Sequence, residues 1–345
     1  MSAELIELAK APALRAGRGI LADSVGTSPS YALVTQPGPL AQLSEEVRSG
    51  AATTVMASSL DENHLERLAE GVEAVGRIVG VGGGVTMDTA KFIAWRRGLP
   101  LTLAPSIVSV DASVTNTIAV RRNGTVEYDG FVVAELIIAD LELISSAPPR
   151  LNRAGVGDLL SIHTGRFDWA LGARAGKIAF VERVDGAAAA VLERLYGLAD
   201  EVAVVSDAAL EHIIRAYIEV NALLLDVGHS GPEEGSEHYF AYAAEATTGR
   251  EFVHGEIVGL GTVLMAGLQD NDPARAAAFL DRCRVGWRPS NLGLDEVDLE
   301  RVLVSLPEHV RRADLAHSII DETTLDKSVA RDLVASIPPP ERQTA

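Results

Sequence analysis

From Arg77 to Lys91 the chain reads RIVGVGGGVTMDTAK, an apolar run that breaks into three glycines and resumes with helical character. Residues 78–81 suit a buried strand, and residues 86–95 predict a helix. The glycines between them permit positive φ and carry no Cβ that would keep a ligand off the backbone. Because free N–H groups at a helix start attract anions, the turn predicts a phosphate or pyrophosphate site. A tight structural turn is the alternative interpretation.

The composition of the 345-residue chain limits the class of protein. With 47% hydrophobic residues it can bury two ordinary cores, and its length favours two domains. The formal net charge of −18 disfavours nucleic acid and anionic membranes as partners. The single cysteine, Cys283, is typical of a reducing compartment. An acidic stretch after Met1, and no apolar run long enough for a bilayer, predict a cytoplasmic protein without a membrane span.

The pattern along the chain predicts two domains and a tail. In residues 1–148, β-rich runs alternate with helical patterns, which favours an α/β dinucleotide-binding domain with a parallel sheet. From 149 to 337 amphipathic helical patterns predominate and predict an all-α domain, and residues 338–345 are expected to be disordered. The predicted strands are 31–35, 53–57, 76–81, 101–104 and 136–139, with a helix at 62–73 and a hairpin at 117–128 whose tip is Asn123-Gly124.

Three polar residues of the helical half lie in small or apolar surroundings: Asp158, His238 and His254. One carboxylate and two imidazoles can bind Zn²⁺, Fe²⁺ or a similar cation and leave a position open for a substrate oxygen. Taken singly, each histidine is more typical of a hydrogen-bonded helix end or core position than of a metal ligand. The wide spacing of the three residues does not by itself predict a site.

The order of four local motifs supports the metal interpretation. They are GGG at 82–84 with Asp88 and Lys91, GDLLS at 157–161 followed by DW at 168–169, GSEH at 235–238, and HGEIVGLGT at 254–262. In content and order these motifs resemble the iron-containing alcohol dehydrogenase and dehydroquinate synthase-like superfamily. Within it, the chain is most similar to the glycerol-1-phosphate dehydrogenases, over about residues 30–270.

The resemblance implies an N-terminal dinucleotide-binding α/β domain, a helical C-terminal domain, and a metal in the cleft held by Asp158, His238 and His254. It implies NAD or NADP, and a divalent metal for which zinc is favoured while iron and nickel also fit the ligands. The implied reaction interconverts a small polyol, or its phosphate, and the ketone. Small-molecule substrates and a homodimer or larger assembly are implied as partners. The cofactor candidates are Gly82, Gly83, Gly84, Asp88, Ser106 and Ser113.

Substrate contacts are also suggested. Asp111 aligns with an aspartate that contacts substrate in these dehydrogenases, so it joins the three metal ligands as a catalytic candidate, and an Asx turn is the alternative. Arg166 and Arg250 are candidates for binding an anionic substrate, because a guanidinium offers paired donors. Solvated surface arginines are the alternative interpretation for both.

The loop at 110–114 departs from the dehydrogenase pattern. It reads VDASV where glycerol-1-phosphate dehydrogenases typically carry His-Asp-Gly, and it looks like the matching loop of 3-dehydroquinate synthase. A sugar phosphate cyclase that uses NAD transiently is therefore an alternative. Two features count against it: Thr115-Asn116-Thr117 replaces a Gly-Gly-Lys segment, and Asp158 stands where those enzymes usually carry Glu. A binding protein that lost turnover is a third alternative.

The cofactor preference stays open at the sequence level. After the predicted strand at 31–35 the chain continues with Gln36, Pro37 and Gly38, without the acidic residue that commonly holds the adenosine ribose of NAD. No adjacent arginine is present to bind a 2′-phosphate. We therefore expect only a modest preference between NADH and NADPH.

Overall fold

The computed structural model describes residues 12–26, 30–122 and 125–339. The chain forms two compact units. One runs to Asn152 and also includes Leu210–Asn221, and the other comprises Arg153–Ala209 and the chain from Ala222 onward. The predicted boundary after residue 148 placed Leu210–Asn221 in the second domain, so the two divisions differ for this segment. An amphipathic pattern indicates that a helix packs against something, but it does not indicate which neighbours. Within the described residues, no helix is both long and apolar enough to cross a membrane.

The described residues of the first unit contain eight strands. They are β1 (Ala13–Gly17), β2 (Tyr31–Thr35), β3 (Ala51–Met56), β4 (Arg77–Gly82), β5 (Leu101–Pro105), β6 (Thr117–Arg122), β7 (Thr125–Phe131) and β8 (Leu136–Asp140). Six of them form a parallel sheet in the order β1-β8-β5-β4-β2-β3, while β6 and β7 form a separate antiparallel pair.

The predicted parallel sheet is confirmed, and its five predicted strands are present with ends shifted by at most two residues. The hairpin is also present, although its tip at residues 123 and 124 lies outside the described residues. Strand β1 was not predicted. It lies at the sheet edge beside β8, and Asp140 secures the chain after it by accepting hydrogen bonds from the N–H groups of Gly19 and Leu21, each 3.0 Å long.

Both faces of the sheet are covered. In β4, Ile78 packs into one apolar cluster and Val79 into another, as expected for a parallel strand between two helical layers. Gly80 lets a helix approach the strand, because a Cβ there would lie 2.7 Å from the Cβ of Ala90. The helices of this unit are α1 (Leu21–Val25), α2 (Pro37–Gln42), α3 (Glu45–Gly50), α4 (Glu62–Gly71), α5 (Gly84–Arg97) and α6 (Leu141–Ser145).

The connections make the carboxyl end of β4 a natural binding edge. From β2 the chain crosses to β3 on one side and then to β4 on the other, so the direction of winding changes between β2 and β4. Open α/β sheets bind ligands at the carboxyl ends of strands beside such a change. The glycine turn follows β4 at this position.

From Pro149 onward, the described residues contain helices and no strand, which confirms the predicted helical half. The predicted tail lies outside the described residues from residue 340 onward. The helices are α7 (Pro149–Leu159), α8 (Ile162–Arg174), α9 (Glu182–Tyr196), α10 (Ala199–Ala203), α11 (Asp207–Val227), α12 (Ser236–Thr248), α13 (His254–Leu268), α14 (Pro273–Arg282), α15 (Pro289–Leu292), α16 (Glu296–Arg312), α17 (Ile319–Glu322) and α18 (Lys327–Ala335).

Candidate functional site

The three predicted metal ligands come together in the second unit. Asp158 lies near the end of α7, His238 in the first turn of α12, and His254 at the start of α13. One ligand atom from each lies within 4.8 Å of the others. The Oδ1 atom of Asp158 is 3.2 Å from Nε2 of His254 and 3.5 Å from Nε2 of His238. A carboxylate and two imidazoles around one point can bind a divalent first-row metal ion.

The site is closed on one side and open on the other. Asp158 and His238 are buried, whereas 34% of the His254 side chain is exposed. Of the three side chains, that of His254 is therefore the one that solvent reaches most. This combination of fixed ligands and access suits a catalytic metal better than a fully enclosed structural one.

The pKa values of Asp158 and His238 depend on the groups that face them. Burial alone would raise the pKa of Asp158, but the facing imidazoles of His254 and His238 lower it below the usual range. Burial would lower the pKa of His238, but its hydrogen bonds to Asp158 and Glu237 raise it well above the ordinary value.

Three glycines let the ligand-bearing helices approach one another closely. A Cβ on Gly157 would lie 1.9 Å from the carbonyl oxygen of Gly255, and a Cβ on Gly255 would lie 1.8 Å from that of Ala154. A Cβ on Gly261 would lie 2.5 Å from the carbonyl oxygen of Glu237. Helices α7, α12 and α13 therefore meet through their backbones next to the ligands.

A buried carboxylate secures the start of α12. Asp168 accepts hydrogen bonds from the backbone N–H and the hydroxyl of Ser236, at 2.8 and 2.6 Å, and from the N–H of Ile319 at 2.8 Å. Burial and the nearby Glu237 charge raise the pKa of Asp168 to about 7, despite these hydrogen bonds. Asp168 is the first residue of the DW motif at 168–169. Its hydrogen bonds to Ser236 stabilise the start of the helix that carries His238.

The glycine turn lies where the sequence places it, between β4 and α5, but its backbone is not in the left-handed region. Gly83 has a φ of −92°, and none of the three has the positive φ that the sequence analysis allowed for. Gly82 is required for space, because a Cβ there would lie 2.3 Å from Oγ1 of Thr86. A Cβ on Gly84 would make only an ordinary contact, 3.4 Å from Val110.

Polar groups surround the turn. The hydroxyl of Thr86 donates to the side-chain oxygen of Gln36, 3.1 Å away, at the end of β2. The N–H of Ser106, after β5, donates to the carbonyl of Gly82 at 2.8 Å. Because Gly83 caps α5 without a side chain, the first turn of that helix presents its N–H groups toward this edge.

Asp88 and Lys91 form an internal ion pair. The Lys91 ammonium, only 1% exposed, lies 2.8 Å from Oδ1 of Asp88 and donates to the carbonyl of Thr117 at 2.8 Å and to the hydroxyl of Thr115 at 3.1 Å. Asp88 also accepts from the N–H of Ala119. The pair holds α5 against the segment that leads into β6, so its observed contacts are structural, and a cofactor contact of Asp88 stays a prediction.

The loop after β5 carries Asp111 and the buried Ser113. The backbone carbonyl of Asp111 accepts from the N–H of Val114 at 2.7 Å, which makes a tight turn. The buried Asn152 supports this loop, because its Oδ1 accepts from the N–H of Val108 at 3.2 Å and its Nδ2 donates to the carbonyl of Ile144 at 2.8 Å. The catalytic and cofactor roles of Asp111 and Ser113 stay predictions.

Both arginines predicted to bind substrate have protein partners. Arg166 forms two 2.7 Å hydrogen bonds with the carboxylate of Asp185. Arg250 donates to the carbonyl of Gly293 at 2.6 Å and lies 3.2 Å from Asp298. The paired donors that suggested an anion site at Arg166 are thus already used. The sequence did not reveal this, because the partners come from other helices or turns.

The sequence analysis also missed supporting residues. Glu237 lies beside a ligand in the GSEH motif, yet its contact with His238 was not predicted. Thr164, Asn152 and Gln36 likewise form contacts that no sequence pattern marked. An acidic residue next to a histidine at a helix start was the one available signal.

Comparisons with known proteins confirm the predicted resemblance. The sequence model of the family described as iron-containing alcohol dehydrogenase matches residues 14–148. The chain is 28% identical over 252 residues to a glycerol-1-phosphate dehydrogenase [NAD(P)+] of Methanococcoides burtonii, covering 72% of this chain and 71% of that protein. The same identity holds over 293 residues for the glycerol-1-phosphate dehydrogenase [NAD(P)+] of Hyperthermus butylicus, covering 83% and 84%.

Solved structures confirm the fold. A probable glycerol dehydrogenase from Sinorhizobium meliloti 1021 matches with a TM-score of 0.70 over 94% of this chain and 95% of that chain. The sequence identity is 20%, so this likeness concerns the fold alone. The helical second half, which lies beyond the family match, is part of the shared architecture.

Proposed function

We propose that this chain, a relative of the iron-containing alcohol dehydrogenases, is a metal-dependent NAD(P) dehydrogenase that interconverts a small polyol, or its phosphate, and the ketone. The observation that carries the proposal is the convergence of Asp158, His238 and His254 from three helices. The names of the curated relatives make dihydroxyacetone phosphate and glycerol 1-phosphate the first substrate pair to test.

The two units supply different parts of the proposed chemistry. In the second, Asp158, His238 and His254 would hold a divalent metal, which supplies Lewis-acid activation of a substrate hydroxyl or carbonyl. In the first, the turn at Gly82 and the N–H groups of α5 suit the pyrophosphate of a nicotinamide cofactor. The open side of the site at His254 admits the substrate.

The cofactor and the metal are proposed as classes. Gln36 after β2 offers neither a carboxylate for a ribose hydroxyl nor a guanidinium for a 2′-phosphate, which supports use of both NADH and NADPH. Zinc is favoured for the metal, and iron and nickel also suit the ligands. A homodimer or larger assembly in the cytoplasm stays a prediction, and light scattering checks the assembly.

Steady-state assays test the proposal. The purified chain, loaded in turn with Zn²⁺, Fe²⁺ or Ni²⁺, is given NADH or NADPH with dihydroxyacetone phosphate, dihydroxyacetone and a panel of ketones. We expect consumption of the reduced cofactor with at least one substrate, and its loss in the His238→Ala variant. No turnover with any loaded metal would rule out the dehydrogenase.

The same assays separate the alternatives. Release of inorganic phosphate from a sugar phosphate without net change in NADH would indicate the cyclase. Cofactor binding with neither signal would indicate a binding protein. The segment 115–117 adds no support for the cyclase. The hydroxyl of Thr115 and the backbone carbonyl of Thr117 accept hydrogen bonds from the buried ammonium of Lys91.

A further inference from the structure

We propose that Glu237 is a positioning residue of the metal site, whose carboxylate holds His238 in the tautomer that leaves the Nε2 lone pair free for the proposed metal. The inference rests on the proposed metal site and adds a residue outside the ligand set. Glu237 is not among the three residues whose ligand atoms converge, and it would act through His238.

The two nitrogens of His238 face different carboxylates. Nδ1 lies 2.9 Å from Oε1 of Glu237, and Nε2 lies 3.5 Å from Oδ1 of Asp158. In a neutral imidazole one nitrogen carries the proton and the other carries the lone pair. If Nδ1 donates to Glu237, Nε2 is the free nitrogen, and it points to the place where the cation would be held between His238, Asp158 and His254.

Glu237 is itself held in place. It is fully buried, its Oε1 accepts from the N–H of Gly235 at 2.7 Å, and its Oε2 accepts from the hydroxyl of Thr164 at 2.7 Å. Three donors therefore fix both oxygens, and the carboxylate cannot rotate away from the His238 ring without losing a hydrogen bond.

The burial of a charge here calls for a counter-charge. An ionised carboxylate is costly to bury unless it is paired and hydrogen-bonded. The group that faces Glu237 is the neutral His238 ring, which a bound metal would polarise so that its Nδ1–H becomes more positive. A carboxylate behind a ligating histidine fixes the ring and increases its basicity, and losing such a partner costs about 10- to 100-fold in metal affinity. A merely structural role, as acceptor for Gly235 and Thr164, predicts no such effect.

Two substitutions separate the acceptor from the charge. Glu237→Gln keeps the shape and an acceptor oxygen for Nδ1 but removes the charge. Glu237→Leu removes the acceptor as well. Thr164→Val leaves Glu237 in place and removes only the donor to Oε2. As a matched control, Asp281→Asn removes a carboxylate of the same unit that pairs with Arg288 instead of a metal ligand.

Zinc affinity is measured by competition with a chromogenic chelator, and the Co²⁺ absorption spectrum reports the ligand geometry. We expect Glu237→Leu to lose about 10- to 100-fold in zinc affinity and to shift the Co²⁺ bands. Glu237→Gln and Thr164→Val should show smaller losses, and Asp281→Asn should match the wild type. Thermal unfolding in chelator checks that each variant is folded; if Glu237→Leu is not, Glu237→Gln and Thr164→Val carry the test.

Wild-type zinc affinity and an unchanged Co²⁺ spectrum in the folded Glu237 variants would overturn the proposal. If the wild-type chain itself binds no zinc or cobalt, the positioning role and the metal site both fail. If it binds metal and the variants lose affinity, but no dehydrogenase activity is found, only the proposed function fails.

Discussion

Gly157 and Gly255 lie against each other with no room for a side chain on either. A Cβ on Gly157 would lie 1.9 Å from the carbonyl oxygen of Gly255, far inside van der Waals contact. Each glycine is the chain neighbour of a proposed ligand, Asp158 or His254. The separation of those ligands is therefore set by a backbone contact between α7 and α13.

Gly157→Ala and Gly255→Ala are expected to destabilise the protein by about 3 kcal/mol each, at the upper end of the cost of overpacking, because the obstructing atoms belong to the backbone. Both should also weaken zinc binding, since the helices must separate. Thermal unfolding and chelator competition measure the two effects.

Gly186→Ala is the matched control. Gly186 lies in α9 of the same unit, and a Cβ there meets nothing within 4 Å. Alanine should stabilise this helix by about 0.5–1 kcal/mol. A similar stability change at Gly186 and Gly157 would contradict the close-contact explanation.

His238→Ala and His254→Ala are expected to lower the bound metal from about one ion per chain to a small fraction. Each removes one of the three proposed ligands found among the described residues. Elemental analysis of protein purified with saturating zinc measures the content. If both variants retain about one ion per chain, these histidines are structural and the assigned site is wrong.

Gly84→Ala tests whether the glycine turn binds the cofactor, because it should change NADH affinity with little effect on stability. Its Cβ makes an ordinary contact, 3.4 Å from Val110, so stability should change by less than about 1 kcal/mol. If the cofactor pyrophosphate rests on this glycine, as proposed, the added methyl group should lower NADH affinity by about tenfold. NADH fluorescence titration measures the affinity. Gly82→Ala should reduce stability as well, since its Cβ would collide with Thr86. Unchanged NADH affinity in Gly84→Ala would argue for a purely structural turn.

We expect Arg166 to serve as the ion-pair partner of Asp185 and not as a substrate ligand. If their ion pair is the only role of Arg166, then Arg166→Gln and Asp185→Asn should lower stability by similar amounts, up to about 1 kcal/mol for a partly exposed pair, and leave KM unchanged. A rise in KM for a phosphorylated substrate in Arg166→Gln alone would instead support the substrate contact suggested by the sequence. Thermal unfolding and steady-state kinetics make the comparison.

Asp168 should make stability depend on pH. Its pKa is raised from 3.8 to about 7 in the folded protein, so the folded state binds this proton more tightly than the unfolded chain does. The resulting stabilisation is complete below about pH 4 and is lost as the pH rises through 7, with a slope of at most about 1.4 kcal/mol per pH unit.

In Asp168→Asn this part of the slope should disappear, although stability should also fall by about 1–3 kcal/mol because Ser236 and Ile319 lose a charged acceptor. Urea unfolding between pH 5 and 8 measures the difference from the wild type. Parallel pH profiles for the two proteins would show that Asp168 stays ionised throughout.

Much of the sheet can be predicted from the sequence, because its strands are buried on both faces. β2 is apolar throughout apart from its final threonine, is followed by a turn signal, and was predicted at both ends. β1 escaped prediction because it is a half-exposed edge strand of alanine, leucine, arginine and glycine. Only its pairing with β8, more than a hundred residues later, makes it a strand.

The candidate site could also be predicted in part, but from the order of sequence motifs and not from burial. Asp158, His238 and His254 are separated by spacings that no periodicity connects, and only the order of the motifs linked them. The pairing of Arg166 with Asp185 and the contact of Glu237 with His238 depend on side-chain directions that a sequence pattern does not contain. The glycines beside the ligands were visible in the sequence, but the carbonyl groups opposite them were not.

The position of β8 constrains the order in which a growing chain can complete its sheet. β8 is the last of the six strands to be synthesised, yet it lies between β1, the first, and β5. Until Asp140 has left the ribosome, β1 has no strand to pair with among those described, and the N–H groups of Gly19 and Leu21 lack their carboxylate. During translation, the first strand must therefore wait for the last, and the nascent sheet exposes the open edge of β5 until then.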